Sequence, residues 1–118
     1  MNGTFARIAL IALLLGFHQQ AISAGAIAKG AGTRAGYAHG FANTSAASAH
    51  ALKECGAGCK VIVTFETGCA AMSLDRDSSA VGAARGANRA TAENYALGFC
   101  RKYGGTSCYI RTWTCTGR

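Results

Sequence analysis

The chain has 118 residues and a formal net charge of +7, from 12 Lys and Arg residues against five Asp and Glu residues. Its length fits one small domain and excludes a large multidomain enzyme. Its longest apolar run spans the ten residues 8–17, which is too short to cross a bilayer as a helix.

Residues 1–24 have the layout of a secretory signal peptide: a short segment with one Arg, an apolar run, and small residues before Gly25. Cleavage after Ala24 would leave a single domain of residues 25–118. Its net charge would be +6, because Arg7 is the only charged residue removed. We expect this domain to be periplasmic or secreted and to have no transmembrane segment.

The expected mature chain contains one sequence pattern twice. Residues 35–55 and 80–100 are identical at eight of 21 positions when they are aligned at a constant offset. A repeat of about 45 residues indicates one supersecondary unit made twice, with each half covering apolar surface of the other. We assign the two copies to residues 25–67 and 68–117.

The first copy has the pattern strand, strand, helix, strand. A glycine-rich turn signal at 30–33 separates two short segments and predicts a hairpin. Asn43 precedes Ala51 and Cys55, which have helical spacing, so Asn43 is expected to cap a helix. Residues 60–65 are rich in β-branched side chains and predict a strand.

The second copy repeats this order, with Asn88 as the helix cap and residues 108–115 as the last strand. The predicted fold class is α+β: two tandem strand–strand–helix–strand repeats that form antiparallel sheet, packed by two helices and stapled by disulfides. One shared sheet and two apposed sheets both satisfy the pattern.

All six cysteines lie in the expected mature chain, and an even number in a short exported protein indicates a disulfide framework. Each copy places one cysteine at the end of its helix and one just before or at the start of the strand that follows. Equivalent positions are expected to carry equivalent bridges, and the two remaining cysteines then pair with each other. The predicted bridges are Cys55–Cys59, Cys100–Cys108 and Cys69–Cys115. The main alternative joins Cys55 to Cys100 between the helices.

The sequence has no motif typical of a hydrolase, a nucleotide-binding loop or a metal site. His39 and His50 belong to no Ser, Cys or carboxylate motif. Asp75 and Asp77 are expected in a turn and lack the other oxygen ligands of a calcium loop. We therefore predict no catalytic residue, no metal ligand and no cofactor.

The final strand holds the candidate binding surface. Strict alternation places Tyr109, Arg111 and Trp113 on one face, and the match between Ile110 and Val61 makes the opposite face the core. Aromatic side chains beside Arg are the composition of a binding hot spot. The alternative, in which loops or the hairpin of the other copy cover Trp113, also remains open.

Several segments together resemble a known bacterial family of secreted domains. These segments are GAIA at 25–28, GYAHG at 36–40, CKVIVTF followed by ETGCAA at 59–71, and CYIRTWTC at 108–115. They resemble the family called domain of unknown function 4189 over essentially the whole mature chain. The resemblance implies a small exported bacterial domain with no assigned activity, and it transfers no catalytic residue. Residues 80–85 are small and plain, whereas the family tends to carry Trp- and Gly-rich return strands there.

The favoured function is non-enzymatic binding of a protein partner, as an inhibitor, an immunity-type factor or a secreted effector. An alternative is a cationic envelope-binding protein that recognises anionic lipid or a cell-wall polymer, since the net charge is positive. A further alternative is a hydrolase with an unfamiliar site that depends on His39 or His50. Nucleic acid is not an expected partner outside the cytoplasm.

Overall fold

The structure is a computed structural model, and it describes residues 23–116. Nearly all of the predicted signal peptide therefore lies outside the described residues. The elements in chain order are β1 (Ala24–Lys29), β2 (Ala35–Phe41), α1 (Thr44–Cys55), β3 (Lys60–Phe65), β4 (Cys69–Asp75), β5 (Val81–Gly86), α2 (Arg89–Lys102) and β6 (Cys108–Cys115). The predicted α+β arrangement of two strand–strand–helix–strand repeats is confirmed.

Each copy forms its own three-stranded antiparallel sheet, with its first strand in the centre. The strand orders are β2-β1-β3 and β5-β4-β6. The two sheets stack face to face, because Ile27 and Phe65 of one sheet share an apolar cluster with Met72 and Leu74 of the other. Helix α1 packs on the outer side of the first sheet and α2 on the outer side of the second. The fold therefore has four layers, helix–sheet–sheet–helix.

Small residues set the distance between each helix and its sheet. The sheet-facing positions of α1 and α2 are the buried residues Ala47, Ala51, Cys55, Ala92, Ala96 and Cys100. Asn43 Oδ1 accepts a hydrogen bond from the Ala46 amide at 2.8 Å, and Asn88 Oδ1 accepts one from the Thr91 amide at 2.9 Å. Both predicted helix caps are therefore confirmed.

The three disulfides are Cys55–Cys59, Cys69–Cys115 and Cys100–Cys108, the pairing that the repeat predicts. The alternative bridge between Cys55 and Cys100 is absent because the two helices lie on opposite sides of the stacked sheets. No described cysteine is left as a thiol. No helix in the described part of the chain has the length and apolar character needed to cross a bilayer.

Candidate functional site

A β-bulge in the last strand changes the predicted binding surface. Thr112 pairs with Met72 and Ile110 pairs with Ser73, which leaves Arg111 as an extra residue. Because an extra residue reverses the alternation of side chains, residues on either side of it face opposite ways. The expectation that strict alternation holds Tyr109, Arg111 and Trp113 on one outer face is therefore wrong.

Tyr109 and Trp113 belong to different parts of the core. Tyr109 packs in the cluster between the two sheets, together with Leu74. Trp113 is partly buried on the side of the second sheet that faces α2, beside Ala71. The guanidinium carbon of Arg89, the first residue of α2, lies 3.8 Å from the centroid of the Trp113 ring. The alternative in which Trp113 is covered is thus partly correct, and the cover comes from α2.

The first copy carries the same bulge. In β3, Val63 pairs with Ile27 and Val61 pairs with Ala28, so Ile62 is the extra residue. Ile110 is equivalent to Val61, as the sequence predicts, and Arg111 is equivalent to Ile62. The bulge is a feature of the repeated unit that alternation alone does not reveal.

Arg111 and Trp113 nevertheless both line a groove between the outer strands β2 and β6, although the Trp113 ring packs on the side of β6 that faces α2. This β2–β6 groove has a volume of about 310 Å³, and its lining residues are Tyr37, His39, Arg111, Thr112, Trp113 and Thr114. The groove exists because the two sheets are stacked with β2 opposite β6. The sequence contained no local signal that would have joined Tyr37 and His39 to this site, since 72 residues separate His39 from Arg111.

The Arg111 guanidinium is fixed by a hydrogen bond from one nitrogen, and its other two nitrogens can bind a ligand. Its Nε donates a hydrogen bond to the carbonyl oxygen of Thr33 at 2.8 Å, across the gap between the sheets. Within the described residues, its terminal Nη atoms have no hydrogen-bond partner. A guanidinium fixed in this way can offer two donors to a carboxylate.

The opposite wall of the groove is aromatic. The rings of Tyr37 and His39 are stacked, with centroids 6.5 Å apart and planes inclined by 11°. Tyr37 is 43% exposed. Neither ring makes a hydrogen bond to another described side chain, so His39 has no attached nucleophile or orienting carboxylate.

Thr114 contributes the one buried side-chain oxygen without a hydrogen-bond partner in the described part of the chain. The residue is 2% exposed, and its Oγ1 makes no hydrogen bond. An unpaired buried hydroxyl is unfavourable by about 1–3 kcal/mol. Such a group at a groove wall is a candidate partner for a ligand or for water.

The opposite edge of the stacked sheets is built from the equivalent strands of the repeat. It therefore shows which residues of the groove the fold does not require. There β5 and β3 take the places of β2 and β6. The residues equivalent to Tyr37 and His39 are Ala83 and Arg85, because Ala38 and Ala84 hold matching positions in the two registers. The residues equivalent to Arg111, Thr112, Trp113 and Thr114 are Ile62, Val63, Thr64 and Phe65. The β2–β6 groove thus combines aromatic and basic side chains, whereas the other edge has a cavity of about 370 Å³ whose lining includes Thr64, Phe65, Glu66 and Arg85.

Tyr109 lines a different cavity, of about 400 Å³, together with Lys29, Leu74 and Asp75. The guanidinium carbon of Arg76 lies 4.4 Å from the centroid of the Tyr109 ring. Tyr109 is therefore separated from Arg111 and Trp113 in the way the bulge requires.

Asp75 organises the turn between β4 and β5. Its carboxylate accepts hydrogen bonds from Ser78 Oγ at 2.7 Å and from the Ser107 amide. The hydrogen bond from Ser78, with those from backbone amides, holds the pKa of Asp75 below its ordinary value of 3.8, although burial acts in the opposite direction. Asp75 also lies near the sulfurs of Cys100 and Cys108. Those sulfurs form a disulfide and so lack the thiolate that binds a metal.

His50 lies on the exposed side of α1, outside the groove. Its Nε2 is 2.7 Å from Glu54 Oε2, and its ring centroid is 5.0 Å from that of Phe41. The two histidines of the described chain therefore do not form one site.

Comparison with known proteins identifies the family. The sequence pattern of the family described as "Domain of unknown function (DUF4189)" matches residues 24–115. The NMR structure of Rv1813c from Mycobacterium tuberculosis has the same fold, with a TM-score of 0.62 and 32% sequence identity; the match covers 80% of this chain and 75% of that chain. Among proteins with curated descriptions, no significant match is found. Since the family pattern spans the whole folded region described above, this chain belongs to the DUF4189 family.

Proposed function

We propose that this protein is an exported, non-enzymatic binding protein that takes up an acidic segment of a protein partner in the β2–β6 groove. The observation that carries the proposal is the difference between the two edges of the stacked sheets. At one edge Arg111 lines a groove with Tyr37 and His39, and Trp113 contributes to the same lining. The equivalent positions at the other edge are filled by smaller or apolar side chains, apart from Arg85.

The chemistry of the groove favours a polypeptide. Aromatic side chains and Arg are enriched among the residues that contribute most to protein–protein binding. The groove is also flanked by the outer strands β2 and β6, each of which pairs with one other strand. An extended segment can add hydrogen bonds along such an open edge. The Nη atoms of Arg111 supply donors for a carboxylate on that segment.

The disulfides support export. All six cysteines are paired, and disulfides persist in oxidising compartments outside the cytoplasm. We propose that the chain acts in the periplasm or in the medium after removal of its N-terminal leader. A positively charged domain attracts acidic partners at long range, which raises the rate of association.

Site-specific crosslinking tests the proposal. A photo-crosslinking amino acid at position 37 should capture one defined partner at a stoichiometric level from envelope or culture extracts. The same amino acid at position 83, the equivalent place on the opposite edge, is the matched control. Capture at both positions, or at neither, would contradict the assignment of the groove.

A pair of arginine variants provides a second test. Arg111→Ala should weaken binding of the captured partner by about 10-fold or more, as expected for a hot-spot residue. Arg85→Ala is its matched control, because Arg85 also donates to a carbonyl oxygen of the facing sheet, that of Thr64, at 3.3 Å. Equal effects of the two variants would show that the guanidinium stabilises the sheet stacking and does not bind the partner.

A further inference from the structure

Helix α2 carries a row of exposed aromatic side chains. Tyr95 and Phe99 lie on α2, and Tyr103 is the residue directly after its end. Each is four residues from the next, so the three lie along one side of the helix. They are 57%, 38% and 64% exposed. We call these three residues the aromatic ridge. The ridge runs along a flank of α2, about 100° round the helix from the buried side that Ala92, Ala96 and Cys100 form.

The internal repeat shows that the fold does not need this ridge. The buried residues of α1 and α2 match one for one, so Tyr95 is equivalent to His50 and Phe99 to Glu54. In α1 those two positions form an exposed polar pair, with His50 Nε2 2.7 Å from Glu54 Oε2. Two helices with the same packing, the same cap and the same disulfide position thus differ on their outer faces. The aromatic residues of α2 are therefore not required by the packing that the two helices share.

The charges around the ridge are positive. Arg101 and Lys102 lie in the last turn of α2, and both are exposed. Lys102 is seven residues after Tyr95 and three after Phe99, so it lies on the side of the ridge, and Arg101 lies farther round the same helix end. The only acidic residue of α2 is Glu93, which is bonded to Arg89 at 3.0 Å. The outer face thus combines aromatic rings with cations and has no carboxylate of its own. This composition is complementary to an anionic surface.

We propose that the aromatic ridge, with Arg101 and Lys102, is a docking surface for an anionic lipid membrane. A single outer helix presents the rings on a convex surface, which suits shallow insertion between head groups. Tyr favours the boundary between head groups and acyl chains, where its ring is partly buried and its hydroxyl stays hydrated. Phe is typical of the apolar side of a helix that lies in this boundary. Arg and Lys next to them attract anionic head groups. This surface is separate from the β2–β6 groove, so the inference does not rest on the proposed function.

Vesicle co-sedimentation of the full mature, oxidised protein tests the proposal. Vesicles of phosphatidylcholine mixed with an equal part of phosphatidylglycerol should bind the protein at low salt. Vesicles of phosphatidylcholine alone should bind it weakly. Binding should decrease at high salt because screening weakens the attraction between exposed charges. Equal binding to both vesicles, or to neither, would overturn the proposal.

Variants in which residues of α2 are replaced by the equivalent residues of α1 test whether the aromatic ridge is the membrane-binding surface. The double variant Tyr95→His, Phe99→Glu gives α2 the residues of α1 and should reduce the partition coefficient by more than about 10-fold. Arg101→Ser with Lys102→Ser should reduce it by about 20- to 30-fold at low salt. Lys53→Ser with Lys60→Ser removes the same charge from other exposed positions and is the control. If the control lowers binding as much, net charge and not the ridge is responsible, and the proposal fails.

Four further measurements distinguish membrane docking from its alternatives. The ridge variants should melt within a few degrees of the wild type because the substituted side chains are exposed. Arg111→Ala should leave vesicle binding unchanged, which separates this surface from the groove. A dimer that the ridge variants abolish would assign the ridge to a second copy of the chain and overturn the proposal. Capture of an acidic protein on the ridge without any vesicle binding would also overturn it.

Discussion

Gly82 of β5 lies so close to the carbonyl oxygen of Ala96 in α2 that a Cβ atom on Gly82 would be 1.9 Å from that oxygen. Gly36 holds the equivalent place against Ala51 in the first copy, where the distance would be 2.2 Å. Each helix therefore rests directly on the backbone of a strand. Only glycine allows the helix and the strand to approach so closely. A side-chain atom added at Gly36 or Gly82 would push the helix away from the sheet.

Gly82→Ala should lower the free energy of unfolding by about 3 kcal/mol, because the added methyl group overlaps backbone atoms that cannot move separately. Gly98→Ala is the matched control in α2. A Cβ atom on Gly98 would have no neighbour within 4 Å, so the change should raise the free energy of unfolding by about 0.5–1 kcal/mol through helix propensity. Chemical denaturation measures both effects. Equal stability of the two variants would contradict the close packing of α2 on β5.

Trp113→Ala should lower the free energy of unfolding by about 2–3 kcal/mol. The ring is partly buried against the side of the sheet that faces α2, so truncation removes packing but less than for a fully buried Trp. Arg89→Ala, which removes the cation above that ring, should have an effect of about 1 kcal/mol or less. Urea denaturation measures both effects. A Trp113→Ala variant as stable as the wild type would show that the ring does not contribute to the packing of α2.

Protonation of the Asp75 carboxylate should contribute to the unfolding of the wild type in acid. Its pKa in the folded protein lies below the ordinary value of 3.8, so its carboxylate stabilises the fold at all pH values above that range. This stabilisation is lost as the pH falls through the lowered pKa. The difference in stability between the wild type and Asp75→Asn should therefore be constant above about pH 5 and should shrink below pH 4. Denaturation curves recorded across this range measure the difference, and parallel curves at every pH would contradict the role of Asp75.

The oxidised protein should have no reactive thiol when it is titrated under denaturing, non-reducing conditions. Removal of Cys69–Cys115 should destabilise the fold more than removal of Cys55–Cys59. The first bridge joins residues 46 apart and the second joins residues four apart. The loss of unfolded-chain entropy that each bridge causes therefore contributes about 2 kcal/mol more to the free energy of unfolding for the first bridge than for the second. Paired Cys→Ala variants and thermal melting measure the order. The opposite order would show that native packing outweighs chain entropy at these bridges.

Local patterns along the chain were sufficient to predict the elements, the caps and the disulfides. Asn43 and Asn88 act within one helical turn of their own positions, so sequence spacing is enough to find them. The pairing of six cysteines followed from the repeat, because two copies of one unit place equivalent residues at equivalent distances. The α+β fold class followed in the same way, from hydrophobic periods of two and of about 3.6 residues.

The faces of β6 and the position of the groove depended on the tertiary structure. The bulge at Arg111 arises from pairing with β4, about 40 residues earlier in the chain, so strict alternation could not reveal that Tyr109 and Trp113 face opposite ways. The stacking of two separate sheets, and not one shared sheet, brought His39 of β2 beside Arg111 of β6. The spacing of Tyr95, Phe99 and Tyr103 can be read from the sequence, but their exposure follows from the place of α2 in an outer layer. Contacts between distant segments decide each of these features, and a single strand or helix carries no local signal for them.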